Sequence, residues 1–353
     1  MNTVRFQEIT KCYPDLRIAV VGDFCLDRYF EIDPRLSEFS IETGLEVHNV
    51  TRVRTQPGAA GTILNNLSAL GIGEITAIGF YGQDGEGWLL ERALRERTHV
   101  NLDHFLSTSE RATFTYSKPL VMEALKPPRE LNRLDQKNWT QTPESVSSQI
   151  CDSLRAVIDQ VDAVIVMDQV DRPFTGVVTL PVRRLLINIG QTRPNIPILA
   201  DSRQSLVGYE SVSMKMNAAE LKRMVKRNEP LSLDMIKEQT QDLAVRHKRP
   251  AFITLSERGI IGAEAGQAAE HVPCFPVTGE SDIVGAGDAV MANLVAGLAA
   301  GATVGEAMQL AMAASSIVIH QLGTTGTATC EQILELFQTN PPEQIMTHRS
   351  EFV

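Results

Sequence analysis

Short runs of apolar, largely β-branched residues, each followed by a helix-like pattern, constrain the fold of this chain more than any other feature. They fall at residues 16–21 (LRIAVV), 75–80, 163–167, 196–200 and 251–255. Helical patterns follow or lie between them at 61–70, 87–97, 145–160, 174–189, 218–227 and 233–248. A strand that is apolar at every position has no solvent face, so it belongs in a mostly parallel central sheet with helices on both faces. The predicted class is α/β, and ligands are expected where the strands end.

Two stretches break this rhythm. Residues 29–54 and 113–135 are polar, strand-like and Pro-containing, with no helix between their strand candidates. They predict a small β lid projecting from the main domain; the alternative is two long surface loops. A chain of 353 residues is near the upper limit of what one core supports, so residues 1–353 are expected to form one large domain with that appendage. A net charge of −10 argues against nucleic acid or an anionic membrane as the main partner. A phosphorylated ligand remains compatible, because local amides and a few cations decide its binding. Cysteines 12, 25, 151, 274 and 330 are odd in number and form no CxxC, which suggests free thiols in a reducing compartment rather than a zinc site or disulfide framework. The N-terminus has no apolar signal core, and the small-apolar stretch 289–300 is interrupted by Asn293 and Gly297 and too short to cross a bilayer. A cytoplasmic enzyme is the expectation.

The densest chemical signal is Asp282-Ile283-Val284-Gly285-Ala286-Gly287-Asp288, which runs straight into the helix pattern AVMANLVAGLAAG. Small residues opening a helix leave several backbone N–H groups facing one concavity, and the helix dipole adds to them, so the turn suits an anion such as a γ-phosphoryl group. A carboxylate directly after it would repel a static phosphate. A base that takes a proton from an attacking hydroxyl gives it a purpose. A tight turn followed by a first-turn helix acid would read the same way, and the pattern alone does not choose between them.

That segment resembles the C-terminal signature of the ribokinase-like (PfkB) carbohydrate kinases, D-T-x-G-A-G-D, with Ile283 in place of Thr. The resemblance implies Asp288 as catalytic base, Gly285, Ala286 and Gly287 as amide donors that also hold the nucleotide's phosphates, and Asp282 beside a monovalent cation such as K+. Val21-Gly22-Asp23-Phe24-Cys25-Leu26-Asp27-Arg28 resembles the family's first strand and turn, which implies substrate binding by Asp23 and Asp27. Carboxylates suit sugar hydroxyls because each accepts two protons in fixed geometry. Gly82-Gln83-Asp84-Gly85-Glu86-Gly87 matches a turn read as structural. Lys215-Met216-Asn217-Ala218-Ala219-Glu220 matches K-x-N-x-x-E, where Asn217 and Glu220 would organise a water-bridged Mg2+ around ATP; the same pair also spells a capping box. Thr254, Ser256 and Gly259 occupy the nucleotide segment T-L-G-x-x-G, and His320-Gln321-Leu322-Gly323-Thr324 falls where members close over adenine.

The likeness covers about residues 16–335 and leans toward the heptose-phosphate kinases, through the VGDxxLDRY opening, Arg133-Leu134-Asp135, Asp168 and the late LGT. It implies Arg133 and Asp168 in the sugar site. It departs at Pro57-Gly58-Ala59-Ala60-Gly61-Thr62, the substrate turn, where Ala59 and Thr62 replace a Gly and an Asn, and at residues 35–40. Gly58 and Thr62 are still expected to bind substrate. No Walker A loop, GxGxxG or HExxH occurs, and the seven histidines lack metal-ligand spacing. The resulting expectation is an ATP-dependent kinase acting on a hydroxyl of a sugar or sugar phosphate, paired through its lid with a second copy. The alternatives are a binding homologue without turnover and a nucleoside kinase.

Overall fold

Strand Arg17–Gly22 lies mid-sheet, hydrogen-bonded in parallel to Glu74–Gly82 on one side and Ala163–Asp168 on the other. From Ala163–Asp168 the parallel order continues through Ile198–Ser202, Ser213–Asn217 and Ala251–Thr254. Ile260–Ala263 and Glu270–Val272 then add an antiparallel edge. This computed structural model describes residues 1–277 and 279–340, so residues 278 and 341–353 of the expected domain lie outside the described residues. Among the described residues the sheet has ten strands.

The alternation of side chains along the first strand explains the two helical layers. Ile18 and Val20 enter one core with helices Ala60–Leu70, Ala286–Ala299 and Val304–Val318. Ala19 and Val21 enter the other with Glu144–Val157, Leu180–Thr192 and Leu233–His247. All four have zero exposure. A fully buried Val or Ile contributes roughly 1.5–3 kcal/mol, so strand ends set on this frame are fixed points.

Two expectations shift. The helix predicted from 174 begins at Leu180, because Pro181 suits only its first turn and Phe174 takes φ 61°, outside helical space. Strand Ser213–Asn217, with Lys and Asn among five residues, has no apolar run to announce it, yet Met214 and Met216 are buried between its neighbours.

The two irregular stretches contribute to a second sheet. Its centre is Phe24–Ile32, antiparallel to Val50–Ala59 and parallel to Phe114–Val121; Arg129–Glu130 and Leu134–Gln136 pair with the latter. Glu38–Phe39 and Glu46–Val47 form a separate ribbon. The outer part of the Val50–Ala59 edge strand is exposed, including Val50 and Val53.

Candidate active site

Gly285 sits at the N-terminus of helix Ala286–Ala299 with φ 84°, a left-handed conformation that costs glycine little, and Thr325 packs against it. No side chain caps this helix. The Ala286 amide, expected to face an anion, instead donates to the Ile283 carbonyl at 3.2 Å and closes the turn; the Gly285 and Gly287 amides are the donors left to an anion, with Asp288 in the same first turn. Asp288 keeps some solvent access but lies in a densely packed shell. Burial pushes its carboxyl up to about 7; Lys215 opposes the shift, while the charges of Asp201 and Asp27 add to it. The base candidate and the sugar-binding candidate Asp27 therefore share one electrostatic field.

Lys215 and Asp201 lie on adjacent parallel strands and form an ion pair, Nζ to Oδ2, of 2.6 Å. Asn217 caps helix Ala218–Met224: its Oδ1 accepts from the Glu220 amide at 2.9 Å, and Glu220 Oε2 accepts from the Asn217 amide at 2.7 Å. Both members of the expected magnesium pair thus hold the helix start, with Glu220 Oε1 left over. Burial raises the Glu220 carboxyl above its ordinary range. Mg2+ usually takes one or two carboxylates plus substrate phosphates, and this donor set fits that habit. Among the described residues no cluster of three or more His, Cys, Asp or Glu is placed to hold a metal by itself.

On the nucleotide side, Thr254 Oγ1 donates to the Met216 carbonyl at 3.4 Å. Ser256 takes φ 54°, the left-handed conformation that the glycine it replaces would adopt freely. Gly259 has φ 91°, and a Cβ there would strike the Val272 carbonyl. Asp282 Oδ1 accepts from the Val284 amide at 3.0 Å, leaving one carboxylate oxygen beside the turn.

Around Asp27, the side chains come from neighbouring strands of the second sheet. Asp27 and Tyr29 share one face of Phe24–Ile32, two residues apart; Gln56 lies opposite Asp27 and Lys118 opposite Tyr29. Lys118 Nζ is 3.5 Å from Asp27 Oδ1 and 3.4 Å from Tyr29 OH. Burial raises the Asp27 carboxyl, against the pull of Lys118. A Cβ on Gly58 would sit 2.9 Å from Asp27 Oδ2, so that residue must be small. Gln56 donates to Tyr29 OH at 3.0 Å and accepts from Thr324 at 2.9 Å, which ties the lid to the loop carrying Thr325.

Four sequence candidates are held by partners within the protein. Asp23 has no exposed surface; its carboxylate accepts from the amides of Gln169 (2.8 Å), Val170 (3.2 Å) and Val177 (2.7 Å), so it pins the segment after Asp168 and does not reach an acceptor. Thr62 is likewise fully buried and donates to the Pro57 carbonyl at 3.3 Å, holding the turn from behind. Arg133 is half-exposed on the lid, doubly bonded to Asp135 at 2.9 and 2.8 Å and stacked on Tyr116. Asp168 accepts from Ser202 (2.9 Å) and Tyr209 (3.2 Å); burial raises its carboxyl despite both bonds. Sequence reasoning overlooked Lys118, Gln56 and Asp201. Only the pairing register on either side of Asp27 would have revealed the first two.

This architecture matches solved structures of low identity. The structure of Arabidopsis thaliana ribokinase complexed with ribose and ATP aligns with TM-score 0.67 at 18% identity, over 92% of this chain and 99% of that one. Phosphofructokinase-2 from Escherichia coli in complex with fructose-6-phosphate gives 0.69 at 18%, over 92% and 98%. The fold is ribokinase-like. By sequence, the bifunctional protein HldE of Citrifermentans bemidjiense is 29% identical over 325 residues, and that of Shewanella putrefaciens 28% over 319. The chain covers about nine-tenths of itself in these alignments but only 63% of either relative's length. The pfkB family carbohydrate kinase pattern matches residues 16–330. The chain belongs to this family. No helix among the described residues is long and apolar enough to cross a membrane.

Proposed function

We propose that this protein transfers the γ-phosphoryl group of MgATP to a hydroxyl of a sugar or sugar phosphate, with Asp288 as general base. The observation that carries the reading is the placement of Asp288 in the first turn of an uncapped helix, within the field of Asp27. Asp27, held by Lys118, orients the acceptor. Asp288 takes the hydroxyl proton as the oxygen attacks phosphorus, and the amides at Gly285 and Gly287 hold the charge on the transferred group. Mg2+, with Glu220 near its water shell, would neutralise the phosphates, and Asp282 could hold K+ beside the turn. The lid would exclude water, and its exposed edge with Val50 and Val53 supports pairing with a second copy across a two-fold axis.

Loss of turnover is disfavoured by the backbone at two departures: Ala59 and Ser256 keep positive φ where glycine is usual, so the path of both turns is retained. The test is ADP release with MgATP across heptose phosphates, fructose-6-phosphate, ribose, other free sugars and nucleosides. Release with at least one sugar or sugar phosphate, abolished in Asp288→Asn, is the expected result. A nucleoside as sole acceptor, or nucleotide binding with no turnover on any acceptor, would displace this reading.

A further inference from the structure

We infer that the cleft between residues 202–207 and helix Ala218–Met224 is a second ligand site, separate from the catalytic one, for the phosphate monoester of a small sugar or polyol. The cleft has a volume of about 280 Å³ and lies where the neighbouring parallel strands Ile198–Ser202 and Ser213–Asn217 end. Ligand pockets start at roughly 300 Å³, so it admits one small molecule. Successive side chains of a strand point to opposite faces of the sheet. Lys215 turns toward Gly287, whose built Cβ would be 3.3 Å from its Nζ, so Met216 turns away, into the layer of helices Leu180–Thr192 and Leu233–His247. Met216 lines the cleft. The cleft therefore opens on the face of the sheet opposite the anion turn, and its occupant is not presented to Asp288.

The lining defines the ligand. Leu206 and Met216, each 2% exposed, make an apolar floor, and Gln204 and Ser205 add polar groups to the wall. Among the described residues no aromatic side chain lines the cleft, so it has no platform for a nucleotide base. Arg223 and Lys226 also line it, and among the described residues neither side chain has a hydrogen-bond or ion-pair partner. The one carboxylate in the lining is Glu220, whose Oε2 is taken by the Asn217 amide. Two cations against one carboxylate leave the cleft positive in a chain of net charge −10. A guanidinium suits phosphate because its N–H groups bind two oxygens at once. Lys226 supplies an independent observation. Helix Ala218–Met224 is capped at Val225, and Lys226 follows with φ 53°, a left-handed position where glycine is usual. A lysine kept there against its backbone cost is explained by an anion that its ammonium holds.

The competing role is a pair of solvated cations near a helix C-terminus, facing only the dipole and water. Titration calorimetry of the full chain without nucleotide separates the two, using glucose-6-phosphate, glycerol-3-phosphate, glucose and inorganic phosphate as probes. At least one ester should bind saturably and more tightly than inorganic phosphate, and glucose should not bind. Arg223→Gln and Lys226→Gly should each weaken that binding about five- to 30-fold, while Lys118→Met, on the lid, should leave it within about twofold. Both exchanged residues are exposed, so the fold should survive, and Lys226→Gly should raise the melting temperature as it loses the ligand. No saturable binding of either ester below about 10 mM would overturn the inference. So would binding that Lys118→Met removes and the cleft variants spare, or inorganic phosphate binding as tightly as the esters. Because no nucleotide or turnover enters the measurement, its outcome is independent of the kinase reading.

Discussion

At the anion turn the left-handed residue is Gly285, φ 84°; at the acceptor-side turn it is Ala59, with φ 53° and ψ −117°. Both precede a helix without a side-chain cap. The first turn offers its ligand backbone groups, which must have the same geometry for every phosphoryl donor. The second presents side chains from a partly exposed sheet, Asp27 with Lys118 among them, and these can vary with the acceptor. The phosphoryl end is therefore built without strain around a fixed ligand. At the acceptor end alanine occupies a positive-φ position that glycine would adopt freely, and the surrounding packing holds the unfavourable backbone in place.

The largest effect should come from the phosphoryl end. Asp288→Asn keeps the shape but cannot take a proton, so kcat should fall by roughly 10²–10⁴ on any acceptor that is turned over. With the carboxyl held near 7, wild-type kcat/KM should rise with pH through that value, and the variant should lose this limb. The stability sign is opposite. A folded carboxyl raised from 3.8 to about 7 keeps a proton that the unfolded chain gives up, so stability falls as pH rises between those values. Asp288→Asn should accordingly gain melting temperature relative to wild type at pH 8, and much less at pH 4. A variant with near-normal kcat would place the base elsewhere.

A smaller change is expected at the acceptor end. Lys118→Met leaves Asp27 buried without its cation, so the acceptor KM should rise roughly ten- to 150-fold while MgATP binding holds. Raising the pH should recover part of the loss by ionising Asp27 again. If nucleotide affinity fell equally, the two ends would not be separable as described. Ala59→Gly should have the smallest effect: relief of about 1–3 kcal/mol of backbone strain, less glycine's extra chain entropy, leaves a gain near 1 kcal/mol in a denaturant titration. No gain would mean that the acceptor turn is as relaxed as the anion turn, and the contrast between them would disappear.

Much of the site was legible where chemistry follows the chain. The run from Asp282 to Asp288 is local: small residues, a helix start and an acid lie consecutively, so sequence alone placed the amides and the base candidate together. The apolar strands were legible for the same reason, since burial on two faces leaves no polar position to hide the signal. Asn217 and Glu220 illustrate the limit of such local reading. Their spacing admitted both a metal pair and a capping box, and only the observed bonds showed that the box is formed.

The sequence by itself determined the α/β class and the anion turn, because each depends on residues adjacent in the chain. Tertiary structure decided which carboxylates are free. Asp23 and Asp27 are four residues apart in one motif, yet Asp23 is consumed by three amides from beyond residue 168 while Asp27 meets Lys118 across the second sheet. It also decided that Lys215, on a strand with no apolar run, reaches Gly287 more than seventy positions later. Hydrogen-bond partners and electrostatic neighbours are set by through-space distance, and folding brings together groups whose separation along the chain carries no trace of it.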